Sequence, residues 1–197
     1  MNKLYTIGHS THETEQFIRL LLQHKITAVC DVRSHPYSQF TPQFNREIIQ
    51  KELKNHRITY VYLGYELGPR HNDPEYIING KVQYEKLSDT ERFRHGLERL
   101  KKGMQSHRIA LMCSEKDPTQ CHRMILICRH MRSESLDILH ILDDGSLEKN
   151  HDAEKRLMAL FKIPEHDLFH TLEDQIQHAY DIQSKRIAYA PKLDDLN

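Results

Sequence analysis

The residues that could do chemistry concentrate in one short stretch of the chain, MCSEKDPTQCHR, at positions 112–123. Thiol, carboxylate and imidazole groups can act as nucleophiles, as metal ligands or as proton donors and acceptors. In this stretch they belong to Cys113, Glu115, Cys121 and His122. Apolar segments precede and follow the stretch, which is therefore expected to connect a buried strand to a buried helix.

The same stretch carries the signals of a helix start. Asp117 can cap the helix with its carboxylate, and Pro118 suits the first helical position because the amide hydrogen it lacks would have no partner there. Cys121, His122 and Arg123 are then expected in the first turn and a half, where the positive end of the helix favours a thiolate or a bound anion. Cys121 also lies on the apolar face of this helix, so a purely structural role fits the pattern equally well.

Spacing argues against three familiar chemistries. A phosphatase or sulfur-transfer loop needs an arginine at a fixed distance after its cysteine, but Thr119 and Ile127 occupy that position relative to Cys113 and Cys121. Structural zinc sites usually have closely spaced ligand pairs, and these two cysteines are far apart in sequence, which leaves a three-ligand site completed by His9 as the metal alternative. Neither a GxGxxG fingerprint nor a Walker loop is present. We therefore predict no bound metal and no cofactor.

Arg123 is followed by a run of apolar residues, where a guanidinium group needs a partner. The sequence predicts that this partner is the carboxylate of Asp31 or Glu115, and that a ligand anion competes for the same arginine.

Composition excludes some classes of protein. The chain has 197 residues, with 28 basic and 28 acidic side chains and a formal net charge of zero. A neutral chain has no strong attraction to nucleic acid or to membranes, although a local basic patch could still bind nucleic acid. The N-terminus MNKLYTIGHS lacks a signal-peptide pattern, and no apolar segment is long enough to span a membrane. The four cysteines lack a disulfide spacing. We therefore expect a cytoplasmic protein with reduced thiols.

Apolar patterning alternates between strands and helices over most of the chain. Short β-branched and apolar runs predict strands at 3–8, 26–32, 58–64, 108–114 and 136–142. Apolar residues at helical spacing predict helices at 12–24, 45–56, 84–102 and 121–132. This order is typical of βαβ units, so we predict an α/β domain with an open, mostly parallel sheet flanked by helices over residues 1–144. The charged pattern that follows predicts a C-terminal helical appendage and tail over residues 145–197.

Polar residues follow the predicted strands at their carboxyl ends, where ligands bind in open parallel sheets. His9 and Ser10 follow the first strand, and Asp31 and Arg33 come at the end of the second. Asp31 and Arg33 are two residues apart and therefore share a face. The long loop after them contains polar residues and aromatic residues that could stack on a base or pack onto the core. We expect these groups and Glu115 to converge on one edge of the sheet.

Four blocks of the chain resemble the domain-of-unknown-function 488 family. They are LYTIGHS, DVRSHPYSQFTPQFN, YLGYELG and ALMCSEKDPTQCHR, in the same order as in the family, over about residues 3–142. The resemblance implies a small Rossmann-like α/β domain of the bacterial cytoplasm, but no reaction. The segment 65–85 departs from the pattern, so no role is implied for Arg70 or Tyr76. The positions that match are Gly8, His9, Ser10, Asp31, Arg33, Pro36, Ser38, Phe44, Asn45, Leu63, Gly64, Cys113, Glu115, Cys121, His122 and Arg123.

Together these features predict an enzyme, a hydrolase or transferase, that acts on a phosphate-bearing substrate related to nucleotides or nucleic acid. The catalytic candidates are His9, Glu115 and His122. The substrate-binding candidates are Ser10, Asp31, Arg33, Ser38, Asn45 and Arg123. Two other interpretations stay open: a non-catalytic ligand-binding module, and a metal- or thiol-dependent protein that uses Cys113 and Cys121.

Overall fold

The computed structural model describes residues 2–71, 73–133, 135–166 and 168–191, and its central element is a six-stranded sheet. The strands are β1 (Asn2–Gly8), β2 (Ala28–Asp31), β3 (Thr59–Tyr62), β6 (Ile109–Cys113), β7 (Leu136–Ile141) and β8 (Leu147–Lys149). Their order across the sheet is β3-β2-β6-β1-β7-β8. The first five strands in this order are parallel, and β8 pairs with β7 in the antiparallel direction. The predicted open, mostly parallel α/β fold is confirmed.

Helices cover both faces of this sheet. They are α1 (Thr14–Gln23), α2 (Arg46–Asn55), α3 (Gly64–Leu67), α4 (Tyr84–Ser88), α5 (Glu91–Gly103), the π-helix Arg123–Cys128 with α6 (Arg129–Met131) after it, α7 (Asn150–Leu160) and α8 (Leu172–Ile187). Alternate side chains of each strand point to opposite faces, so Tyr5 and Ile7 pack with α1 and α2 while Leu4 packs with the later helices. A two-stranded hairpin, β4 (Ile77–Ile78) and β5 (Lys81–Val82), precedes α4.

The prediction of one continuous helix at 84–102 is wrong, because the chain forms two helices, α4 and α5, over this segment. Thr90 begins the second helix, α5, and its hydroxyl accepts a hydrogen bond from the amide of Phe93. A threonine side chain at the start of a helix accepts a hydrogen bond from an amide that has no partner within the helix. Threonine is therefore favoured where a new helix begins and is less favourable inside a helix.

The segment after residue 144 belongs to the same packed body as the rest of the sheet. It supplies β8, and buried side chains of α7 and α8 such as Leu157 and Tyr180 join the apolar cluster that contains Met124. The division into an α/β domain and an appendage stays a prediction. Across the described residues, no helix is long and apolar enough to cross a membrane.

A buried histidine, His140, links the sheet to the C-terminal segment. Its Nδ1 lies 2.8 Å from the hydroxyl of Thr6 on β1, and its Nε2 lies 3.1 Å from Oδ1 of Asn150 on α7. A neutral ring can accept from the first group and donate to the second. Burial, together with the nearby charge of Arg123, lowers the pKa of His140 from 6.5 to about 3.

His140 should therefore make the fold sensitive to mild acid. Above pH 6.5 the ring is neutral in both the folded and the unfolded chain, so it adds no pH dependence. As the pH falls from 6.5 toward 3, the unfolded chain binds a proton that the folded chain does not bind. The free energy of unfolding should fall by about 1.4 kcal/mol per pH unit from this residue alone.

Urea unfolding of the wild type and of His140→Gln at several pH values between 7.5 and 5 measures this slope. The variant should lose stability less steeply with falling pH than the wild type does. His95→Gln removes an exposed histidine from α5 and should keep the wild-type slope. Equal slopes in all three proteins would show that His140 is not held neutral by the fold.

Candidate functional site

The carboxyl ends of β1, β2 and β6 enclose a pocket of about 410 Å³. This is the edge at which the parallel topology predicts ligand binding. The pocket is lined by His9, Ser10, Thr11, Arg33, His35, Tyr37, Ser38, Thr41, Arg70, Ser114, Glu115 and Lys116. Five of the predicted site residues therefore lie around it: His9, Ser10, Arg33, Ser38 and Glu115.

A second cavity, of about 500 Å³, lies between α6, α7 and α8, but its charges neutralise one another. Arg132 contacts the carboxylates of Glu154 at 2.8 Å and Glu173 at 2.7 Å. A ligand anion would have to displace these ion pairs. The pocket at the carboxyl ends of the strands, called the rim pocket below, is lined by a single carboxylate among several cationic groups. It is the better candidate for a functional site.

Asp31 does not line the pocket but holds the arginine that does. Its carboxylate is fully buried and accepts hydrogen bonds from Nε and NH2 of Arg33 at 2.9 and 2.6 Å. The hydroxyl of Tyr60 donates to the same carboxylate at 2.8 Å. Burial disfavours the charged guanidinium, but these bonds to Asp31 outweigh that effect and raise the pKa of Arg33. The pair therefore gives the pocket a rigidly placed positive charge.

His9 is engaged on both ring nitrogens. NH1 of Arg33 donates to Nε2 at 3.1 Å, and Nδ1 lies 2.9 Å from the carbonyl oxygen of Ser10. The ring stacks on Phe44 with 4.3 Å between centroids. Burial, and then the charge of Arg33, lowers the pKa of His9 from 6.5 to about 4, so the ring is neutral at pH 7. Its geometry suits the positioning of Arg33, and its catalytic role stays a prediction.

Arg33 retains one N–H group for a ligand. Among the described residues its N–H donors bond to Asp31, to the carbonyl of Phe44 and, through NH1, to His9. A guanidinium has five such hydrogens, so one hydrogen, on the terminal nitrogen that contacts His9, has no partner among the described residues.

The predicted residues of the long loop divide between the pocket and its support. Ser38 lines the pocket, and its hydroxyl accepts hydrogen bonds from the amides of Phe40 and Thr41 at 3.1 and 3.3 Å. Asn45 lies behind it, and its Oδ1 accepts from the amide of Ser38 at 2.8 Å. Asn45 therefore fixes the shape of the loop rather than facing a ligand.

Two cysteines, Glu115 and His122 form a tight cluster beside the pocket. The thiols of Cys113 and Cys121 both donate to Oε2 of Glu115 at 3.0 Å. Nδ1 of His122 lies 3.5 Å from the first sulfur and 3.9 Å from the second. Burial raises the pKa of the Glu115 carboxyl, but the hydrogen bonds from the two thiols outweigh it and hold this pKa at about 2. Burial raises the pKa of the Cys121 thiol well above its usual value.

The helix start predicted at Asp117 is confirmed only for one turn. The carboxylate of Asp117 accepts from the amide of Thr119 at 2.9 Å and caps the short 3-10 helix Pro118–Gln120. Cys121 is then extended, with φ −130° and ψ 139°, and the π-helix begins after it. The prediction that Cys121 lies in the first turn of a continuous helix is therefore wrong. The extended residue interrupts the helix and lets Cys121 and His122 reach Cys113.

Arg123 is fully buried, and its hydrogen-bond partners differ from the carboxylate that the sequence predicts. NH1 and NH2 donate to the backbone carbonyls of Glu115 and Lys116 at 2.6 and 3.0 Å, and Nε donates to the hydroxyl of Thr6 at 3.3 Å. The predicted carboxylate partner is wrong, because the guanidinium reaches the main chain of the loop and not a side-chain carboxylate. Arg123 and His122 do not line the pocket, so their predicted direct roles there stay predictions.

The loop that carries Glu115 also requires a glycine on β1. A Cβ at Gly8 would stand 1.9 Å from the carbonyl oxygen of Glu115. Only a residue without a side chain allows the loop to lie this close to the strand end.

Sequence reasoning missed two cationic residues of the pocket. Arg70 comes from the segment that departs from the family pattern, and Lys116 was overlooked beside Glu115. The position of Lys116 directly after a predicted catalytic residue was a usable signal. Arg70 follows a turn whose path is set by tertiary contacts, such as the bond from its amide to the hydroxyl of Ser34.

The fold defines an α/β protein with an open, mostly parallel sheet and a pocket at its carboxyl edge. The model of the domain of unknown function DUF488 matches residues 13–129, which is more than half of the chain. The chain belongs to the DUF488 family, as its sequence blocks predicted. Neither the curated proteins nor the solved structures gave a significant match.

Replacing Arg123 should lower the free energy of unfolding more than replacing a nearby arginine does. Arg123→Met keeps the length of the side chain but removes its hydrogen bonds to the carbonyls of Glu115 and Lys116 and to the buried hydroxyl of Thr6, each at a cost of about 1 kcal/mol or more. Urea unfolding should show a loss of at least about 2 kcal/mol. Arg129→Met removes a partly exposed ion pair with Asp181 and a hydrogen bond to Gln177 but takes no donor from a main-chain carbonyl of the described residues, so it should cost less than Arg123→Met. A similar small loss in both variants would contradict the supporting role of Arg123.

Proposed function

We propose that this protein is a cytoplasmic enzyme, a hydrolase or transferase, whose rim pocket binds a small phosphate-bearing substrate of the nucleotide class. The observation that carries the proposal is the convergence of Arg33, Arg70 and Lys116 on one pocket at the carboxyl edge of the sheet. The four cysteines of the chain are free and buried, which suits a reducing compartment.

The arrangement of the cations favours a phosphate over a single carboxylate. Arg33 is held rigid from behind by Asp31, so little side-chain entropy is lost when its remaining N–H meets a ligand oxygen. Arg70 and Lys116 are exposed and add charge at the same pocket, although Nζ of Lys116 is paired with the carboxylate of Asp143, with which a ligand phosphate would compete. Several donors that line one pocket can match the several oxygens of a phosphate group.

The size and rim of the pocket favour a nucleotide over a long nucleic acid. A volume of about 410 Å³ lies in the range typical of small-molecule sites. His35 and Tyr37 line the pocket with their ring centroids 5.2 Å apart, and aromatic rings of this kind can stack on a base. A pocket of this size in a chain of zero net charge is a poorer match to a polymer.

Glu115 is the best-placed catalytic group of the pocket. It is the one carboxylate among the lining residues, so it can contact a substrate or a water molecule bound there. A carboxylate beside a phosphate-binding arginine can orient an attacking group by accepting a hydrogen bond from it. The second catalytic candidate, His9, is already bonded through both ring nitrogens.

Removing the charge of Arg70 should weaken phosphate binding. Arg70→Gln should lower the affinity for a nucleoside monophosphate by about tenfold, which corresponds to the loss of a charge-assisted hydrogen bond. Arg92→Gln is the matched control, because both arginines stack on a tyrosine ring. The guanidinium of Arg92 lies 4.9 Å from the ring centroid of Tyr65, and that of Arg70 lies 5.0 Å from the ring centroid of Tyr189. Isothermal titration with a panel of nucleoside monophosphates measures both effects. Equal affinities in the two variants would contradict the placement of the site.

Glu115→Gln separates an enzyme from a binding module. The variant should bind the ligands of the wild type but fail to convert them, as followed by phosphorus NMR of the panel with the wild type as reference. Conversion at the wild-type rate would remove Glu115 from the mechanism. Ligands that the wild type binds and never converts would favour the non-catalytic module instead.

A further inference from the structure

We propose that Cys113, Glu115, Cys121 and His122 form a binding centre for a zinc-like divalent metal ion. The proposal concerns the cluster beside the rim pocket and does not depend on what the pocket binds. It departs from the sequence-based prediction of no metal, and it replaces His9, the third ligand that spacing suggested, by Glu115 and His122.

The four donor atoms already have nearly the separation that a single ion requires. Tetrahedral zinc with bonds of about 2.0–2.3 Å places its ligand atoms roughly 3.2–3.8 Å apart. Here each sulfur lies 3.0 Å from Oε2 of Glu115, and the sulfurs lie 3.5 and 3.9 Å from Nδ1 of His122. All four atoms lie within 4.8 Å of one another. Shifts of up to about one ångström would complete the geometry.

The contacts behind the ligands are those that support a metal centre. Nε2 of His122 lies 3.0 Å from the carbonyl oxygen of Val32, so it donates there and leaves the Nδ1 lone pair for the ion. The amide of Arg123 donates to the sulfur of Cys121 at 3.5 Å, a bond that stabilises a thiolate. The buried guanidinium of Arg123 adds a positive charge beside the cluster, where two thiolates would otherwise repel each other.

The ligand types select among metal ions. Two thiolates and an imidazole are soft or borderline donors, which suit zinc and exclude magnesium or calcium as the preferred ion. Three of the four ligands, Cys113, Cys121 and His122, are buried, whereas Glu115 also lines the rim pocket. The carboxylate therefore stands between the ion and any molecule bound in the pocket. Binding of the ion releases the two thiol protons to solvent, so charge and atoms balance without an oxidant or reductant.

Cobalt tests the proposal, because tetrahedral Co²⁺ bound by thiolates has intense charge-transfer and visible absorption bands. The full-length protein, stripped with a chelator and kept reduced, should bind one Co²⁺ with these bands, and Zn²⁺ should displace it. Cys113→Ala and Cys121→Ala should lose most of the charge-transfer intensity. Cys30→Ala and Cys128→Ala are matched controls, since both cysteines are buried outside the cluster, and they should keep it.

Two results would overturn the proposal. The first is stripped wild-type protein that remains folded by circular dichroism yet shows no thiolate bands with Co²⁺. The second is a band that survives in both cluster variants. If the cluster variants do not fold, the wild type and Cys128→Ala still decide the matter: Zn²⁺ should raise the midpoint of their thermal unfolding, and an unchanged midpoint in both would count against the centre.

Discussion

The candidate site depends on one buried charge. The guanidinium of Arg123 lies inside the protein and directs two of its nitrogens at the carbonyls of Glu115 and Lys116. A buried arginine without such acceptors would be strongly destabilising. The loop that contains Glu115 and Lys116 is therefore held in place, because moving it would leave the guanidinium buried without hydrogen-bond partners. Gly8 allows the loop to lie against β1 at the same point. The direction of the Glu115 side chain, and with it one wall of the pocket, follows from this contact.

Glu115 connects two parts of the site that would otherwise be separate. Its Oε2 accepts from both thiols of the cluster, and its side chain also lines the pocket. The buried carboxylate of Asp31 supports Arg33, another residue of the pocket lining, through a close ion pair. In both cases a residue that lines the pocket is held by one that does not. Asp31 and Arg123 are therefore better described as positioning residues than as ligand contacts.

The sequence predicted the parts of the fold that depend on local pattern. The five parallel strands follow from β-branched runs, and the meeting of His9 and Arg33 at one edge follows from parallel topology. The break at Cys121 could not be predicted this way, because Asp117 and Pro118 start a helix locally while tertiary contacts decide how far it continues. The partner of Arg123 was missed for a related reason. Sequence shows side-chain charges, whereas its acceptors are main-chain oxygens that any residue carries.

The C-terminal segment stabilises the site from outside the region that defines the family. The family match covers residues 13–129, whereas α7 and α8 come later. Arg156 of α7 donates to the carboxylate of Asp117 at 2.8 and 2.9 Å, and Gln183 of α8 donates to the carbonyl of Thr119 at 2.7 Å. Both contacts hold the short 3-10 helix between Glu115 and Cys121.

A buried polar chain adds a third connection between this segment and the site. It runs from Arg123 through Thr6 and His140 to Asn150 on α7. Each of these groups is buried and has its hydrogen-bond partner in the next, so removing one leaves another unsatisfied at a cost of about 1–3 kcal/mol. The position of the two cysteines and of Glu115 therefore depends on residues 145–191 as well as on the loop itself. Truncating the protein after residue 144 would remove Arg156 and Gln183, which hold the 3-10 helix, and Asn150, which ends the hydrogen-bonded series.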